Sequence, residues 1–174
     1  MQQATRRSAG RSASSSRAAK AQPRDAIALL KADHRLVEQW FGQFAKSRSG
    51  QKKADLAERI CQALIVHTTI EEELFYPAFL EATGDEDIHH EAEVEHAGAK
   101  NLIAQIQAAG PEDDYFDARV TVLSEMIKHH VKEEEQRDGM FAKARAADMD
   151  LVTLGQQMTQ RKNELELAGK ARPN

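Results

Sequence analysis

Ile27, Leu30, His34, Val37, Phe41 and Phe44 follow one another at steps of three and four, and three later stretches of the chain repeat that spacing. At 3.6 residues per turn such spacing lays a single stripe down one helix face. A stripe of this kind is satisfied only against other stripes, so four of them in series specify helices packed on helices. The abundance of strong helix formers and the scarcity of breakers, with only 9 Gly and 4 Pro in 174 residues, agree with that reading.

Five helical segments are predicted. The first runs from Asp25 to Arg48, after Pro23 and before Ser49-Gly50. The second runs from Lys53 to Ala82, with Leu56, Ile60, Leu64, His67, Glu71, Leu74 and Ala78 on its seam and a kink expected at Pro77. The third, Asp85 to Ala109, carries His89, Ala92, His96, Ala99, Ile103 and Ile106, and Gly110-Pro111 ends it. Asp85, Glu86 and Asp87 suit its positive N-terminal end. The fourth, Glu112 to Ala146, carries Phe116, Val120, Leu123, Ile127, His130 and Glu134. A shorter fifth, Leu151 to Ala168, shows Leu151, Leu154, Met158 and Leu165 on one face. The expected fold is all-α: an antiparallel up-down-up-down four-helix bundle, with a short C-terminal helix packed alongside and a disordered N-terminal tail.

Each of the four long stripes is interrupted by a histidine, namely His34, His67, His96 and His130. In the second and fourth helices a glutamate follows four residues later, Glu71 and Glu134, on the same face. An ionised carboxylate in a bundle core is costly unless a cation meets it. No lysine or arginine occupies these registers, so the charge must come from outside the chain, and imidazole with carboxylate suits iron, manganese or zinc. Six such side chains, two of them carboxylates able to bridge, can hold two ions. One histidine on a stripe is commonly a satisfied core residue; four on separate stripes, two with the same carboxylate offset, are not a coincidence of packing. The competing reading is a helical interaction module with one structural zinc or no metal.

The overall net charge of -4 conceals a division. The first 24 residues hold six basic groups and no acid, leaving 18 basic against 28 acidic groups in the rest. Residues 1–23, rich in Ser and Arg with few apolar side chains, read as a disordered basic tail that solubilises rather than as a nucleic-acid-binding arm. Residues 24–168 form the bundle and residues 169–174 a disordered C-terminus. The single cysteine, Cys61, has no partner for an internal disulfide and reads as a small packed side chain. No apolar run is long enough for a membrane span and no secretory signal is present, so a soluble, cytoplasmic protein is expected.

The motifs ADH ending at His34, HTTIEEELFYP from His67 to Pro77, EVEHAGAK around His96, and HHVKEEE with Phe141 downstream together resemble the hemerythrin-like family, the bacterial HHE cation-binding domains. The resemblance covers Asp25 to about Leu165. It implies a bundle holding a non-heme di-iron centre, with His34 and His67 on one iron, His96 and His130 on the other, and Glu71 and Glu134 bridging. It also implies small-molecule partners: dioxygen, peroxide or nitric oxide. This sequence departs from the oxygen carriers at Ala92, where they have a further histidine. The departure favours reduction of peroxide or oxygen over reversible carriage, with His89 or Glu93 as substitute ligands or an open position. Tyr76 lies near these motifs and reads as a packing residue with a possible place beside the metals; His90 and His129 fall off the seams and are expected to face outward. Glu72, Glu73, Glu133 and Glu135 are expected on solvated faces, some of them orienting ligand histidines.

Overall fold

The computed structural model describes residues 25–170, so the expected tail of residues 1–23 and the last four residues lie outside the described region. The described chain is helical throughout: α1 (Ala26–Lys46), α2 (Gly50–Ile70), a π-helical turn (Glu71–Phe75), α3 (Tyr76–Thr83), α4 (Glu86–Ala109), α5 (Phe116–Glu135), α6 (Met140–Ala146) and α7 (Leu151–Lys170). α1, α2, α4 and α5 form the predicted bundle. α1 packs on α2 and α5, and α4 packs on α5 and α2, closing the ring. α7 lies outside it against α1 and α2 and runs two residues past its expected end at Ala168.

The starts of α1, α2 and α4 are set by side chains that satisfy free backbone N–H groups. The Asp25 carboxylate accepts from the Ala28 N–H at 2.7 Å, and Asp85 caps α4 through the Ile88 N–H at 3.3 Å. Gly84 ends α3 in the left-handed region, φ 65°, which a residue with a Cβ rarely adopts.

The apolar interior is in two parts. One cluster holds Ile27, Leu30, Ile70, Phe75, Tyr76 and Phe79 with α6 and α7 residues; the other holds Val37, Phe41, Ile60, Leu64, Ile103 and Leu123 and their neighbours. His34, His67, His96 and His130 fall between the two on their respective helices. The polar layer therefore crosses the bundle like a floor between two storeys.

Two expectations need correction. The second predicted helix is not one continuous α-helix; it opens into a π turn just before Pro77, where the Tyr76 N–H donates to the Glu71 carbonyl five residues back. A π turn accommodates one extra residue, which moves the buried face by one position. Phe75 and Phe79 are buried where Leu74 and Ala78 were expected, and the latter two are only partly buried. The wider turn also relieves the clash between the Pro77 ring and the carbonyl four residues earlier. The fourth predicted helix, Glu112 to Ala146, is two helices: α5 stops at Glu135, Gln136 is extended, and α6 begins at Met140. Gly139 makes the bend possible, since a Cβ there would run into the Glu133 and Glu134 carbonyls. The bend folds Met140 and Phe141 back over the polar layer, where the Phe141 ring stacks on His34 at 6.0 Å.

Candidate metal centre

All six predicted residues meet in the layer between the two clusters. His34, His67, His96 and His130 are 5%, 5%, 1% and 4% exposed, and Glu71 and Glu134 are 0% and 2% exposed. The four Nε2 atoms point inward in two pairs, His34 to His67 at 3.2 Å and His96 to His130 at 3.2 Å. Glu71 Oε2 lies between the pairs, 3.2 Å from His67 Nε2 and 3.3 Å from His96 Nε2. Glu134 spans them from the other side, with Oε2 3.3 Å from His34 Nε2 and Oε1 3.7 Å from His130 Nε2. Two groups of potential ligand atoms result, His34-His67-Glu71 and Glu71-His96-His130, joined by a shared carboxylate.

This arrangement is poorly satisfied by protein atoms alone. Both oxygens of Glu71 and both oxygens of Glu134 are buried without a hydrogen-bond partner. A buried carboxylate left in that condition costs free energy on the order of several kcal/mol, so four orphaned oxygens facing four imidazole nitrogens describe a place for cations. The donor set of nitrogen and oxygen fits iron, manganese or zinc.

The titration behaviour shows the same tension. Burial and then the charge of Glu71 push the Glu134 carboxyl well above the usual carboxylate range. Burial would raise Glu71 also, yet His67 and His96 together hold it below that range. Burial, with the neighbouring His67, lowers His34 to about 4, whereas His130 rises to about 9 because Glu134 and Glu95 outweigh its burial.

Each imidazole is backed by a carboxylate on its outer nitrogen. His34 Nδ1 is 2.9 Å from Glu135 Oε1, His96 Nδ1 is 3.0 Å from Glu72 Oε1, and His130 Nδ1 is 2.7 Å from Glu95 Oε2. His67 Nδ1 faces Asp33 Oδ2 at the longer distance of 3.7 Å. A carboxylate on Nδ1 holds the proton there and leaves the Nε2 lone pair free for a metal. Of the four expected outer glutamates, Glu72 and Glu135 play this part. Glu73 instead binds Arg161 at 2.6 Å, and Glu133 lies beside the exposed His129 at 3.1 Å.

Sequence reasoning missed Asp33 and Glu95. A signal for them exists: every backing carboxylate adjoins in sequence one of the six layer residues. Asp33 precedes His34, Glu72 follows Glu71, Glu95 precedes His96 and Glu135 follows Glu134. Tyr76 is both core and site, 1% exposed with its hydroxyl 3.0 Å from His96 Nε2. Of the two substitute ligands considered for Ala92, Glu93 is exposed, while His89 is half-buried, 3.7 Å from Glu93 and 5.9 Å from the Tyr76 ring, with its Nδ1 buried and unpartnered. His90 and His129 face outward as expected. Cys61 is packed in the core, at 1% exposed.

A family model described as the hemerythrin HHE cation binding domain matches residues 25–142. A DNA nickase from Nostoc sp. (strain PCC 7120) is 31% identical over 107 residues, which make up 62% of this chain and 30% of that protein. The crystal structure of a hemerythrin HHE cation binding domain-containing protein from Mycobacterium kansasii has the same fold. It superposes with a TM-score of 0.67 at 22% identity, over 83% of this chain and 88% of the other.

Proposed function

Because the chain belongs to the hemerythrin HHE cation-binding domain family, we propose that it is a non-heme di-iron protein that reacts with or senses dioxygen, peroxide or nitric oxide. The observation that carries this reading is the set of four unpartnered carboxylate oxygens on Glu71 and Glu134 within a buried layer of four imidazoles. His34 and His67 would hold one iron, His96 and His130 the other, and Glu71 and Glu134 both. Supplied with iron, such a centre would offer redox chemistry toward a small ligand.

The chain's own residues set the terms of that chemistry. Glu135, Glu72 and Glu95 fix the Nδ1 protons of His34, His96 and His130, so the inward nitrogens stay available as ligands. Ala92 supplies no donor, and the Tyr76 hydroxyl is the nearer substitute, an oxygen already beside His96 Nε2. Phe75 and Phe141, packed edge to face at 5.7 Å, keep one end of the layer dry. Peroxide or oxygen reduction, as detoxification or sensing, suits this arrangement better than reversible carriage. The nicking activity named for the Nostoc relative is not carried over, since the chain spans 30% of that protein.

Protein produced with iron and analysed for metal should carry about two irons per chain and absorb in the near ultraviolet, in keeping with a paired carboxylate centre. One zinc per chain, or no metal after reconstitution, would overturn the reading and favour a structural module.

A further inference from the structure

Three of the four carboxylates behind the histidines are neutralised by a basic side chain. Asp33 pairs with Lys162, Glu72 with Lys100 at 2.5 Å, and Glu135 with Lys31 at 2.9 Å and Arg35 at 2.5 Å. Glu95 differs. Among the described residues no lysine or arginine pairs with it, nor with Glu133; both lie instead around the exposed His129, whose Nε2 is 3.4 Å from Glu95 Oε1 and 3.1 Å from Glu133 Oε1. The three ligand atoms lie within 4.8 Å of one another on the outer surface of α4 and α5.

An acidic surface cluster alone carries no function, but two members of this one, Glu95 and Glu133, also line a cavity that reaches the buried Glu134. A cavity of about 80 Å³ runs inward between α4 and the α5–α6 bend, and Glu91, Glu95 and Glu133 line it together with His130 and Glu134. Its inner end is a carboxylate, Glu134, that is 2% exposed with both oxygens unpartnered. At roughly 30 Å³ per water the space suits two or three waters or a partly hydrated ion. Ala92 contributes only a methyl group to its wall.

We propose that Glu95, His129 and Glu133 form an outer divalent-cation site, where an incoming metal ion docks before passing beside Ala92 to Glu134 and His130. The inference rests on the di-iron reading above for its destination, though not for its geometry. Two carboxylates and one imidazole at a half-exposed position leave the ion most of its water, which makes for weak and rapidly exchanging binding. Glu95 joins the two sites, since its Oε1 faces His129 while its Oε2 holds His130. Unneutralised carboxylates lining a low-dielectric cleft concentrate cations and speed their association.

The test is the rate of metal uptake by the metal-free full chain, mixed anaerobically with Co²⁺, whose visible absorption reports its coordination. The double variant His129→Ala, Glu133→Gln touches none of the six inner side chains' inward atoms. It should reach the same final cobalt content as the unaltered chain but about tenfold more slowly at low ionic strength. Added salt should slow the unaltered chain and barely affect the variant. His90→Ala, on an equally exposed histidine, should load at the normal rate. If the double variant folds poorly, Glu91→Gln on the exposed face of α4 should still slow uptake, by about twofold. Equal rates in the chain and its variants would overturn the outer site, and so would a lower final cobalt content, which would make these residues part of the inner centre. Failure of the unaltered chain to take up metal would overturn the di-iron reading instead.

Discussion

At the scale of single residues, what separates a ligand from its neighbour is a rotation of about 100° around the helix axis. His130 and Glu134 face the layer while His129 and Glu133 face water. His130→Ala or Glu134→Ala should therefore reduce bound iron to one ion or fewer per chain, whereas His129→Ala should leave equilibrium content unchanged; metal analysis after dialysis decides it, and equal losses would refute the assignment. Glu72→Gln should keep both ions and weaken the His96 side by about 10- to 100-fold in affinity. Burial raises the Cys61 thiol to about 11, from an ordinary value of 9.0. A raised folded pKa stabilises the fold below the unfolded value, and that contribution is lost as pH rises from about 9 towards 11. Alkylation of Cys61 should accordingly be negligible in the folded chain at pH 8 and rapid in denaturant. The six inward side chains were legible because each replaces an apolar residue on a stripe. Asp33, Glu95 and the role of Tyr76 were not, because a carboxylate one residue off a seam looks like any solvated helix face until the neighbouring helix is in place.

At the scale of elements, the helices were legible and their irregularities were not. The π turn shifts burial by one residue, so Phe75 and Phe79 replace Leu74 and Ala78, and no periodicity within the stretch announces it. Pro77 is the only local hint, and its ring suits the widened turn. Deleting Glu73, an exposed residue of that turn, should restore regular helix geometry and return Pro77 to a clash. The deletion is expected to cost about 3 kcal/mol, most of it recovered by adding Pro77→Ala. Chemical denaturation of the two variants measures both figures; a deletion without cost would show that the turn is not fitted to the proline. The break between α5 and α6 was equally hidden, because the stripe through Phe116 to Glu134 gives no sign of where the chain must turn back. Gly139 is the residue that permits it.

For the molecule as a whole, the four-stripe pattern determines the bundle, and the charge pattern determines where it is incomplete. The described residues include no helix long and apolar enough to cross a membrane. Metal that binds the folded chain and not the unfolded one stabilises it by mass action, by about 2.7 kcal/mol at a free concentration 100 times Kd. Chelation should lower the melting temperature, and re-addition of iron should restore it. The polar layer leaves the two apolar clusters joined by four helices but by little side-chain packing across the middle. Without a cation that layer is a seam of poorly satisfied charge, and amide exchange should reveal two partly independent halves; with one, the whole bundle should exchange as a unit. Proteases cut the opened forms of a protein in proportion to their population. A chain built on a divided core is thus expected to survive digestion for as long as iron is at hand and to be degraded sooner when it is scarce, so that metal supply sets how long each copy lasts.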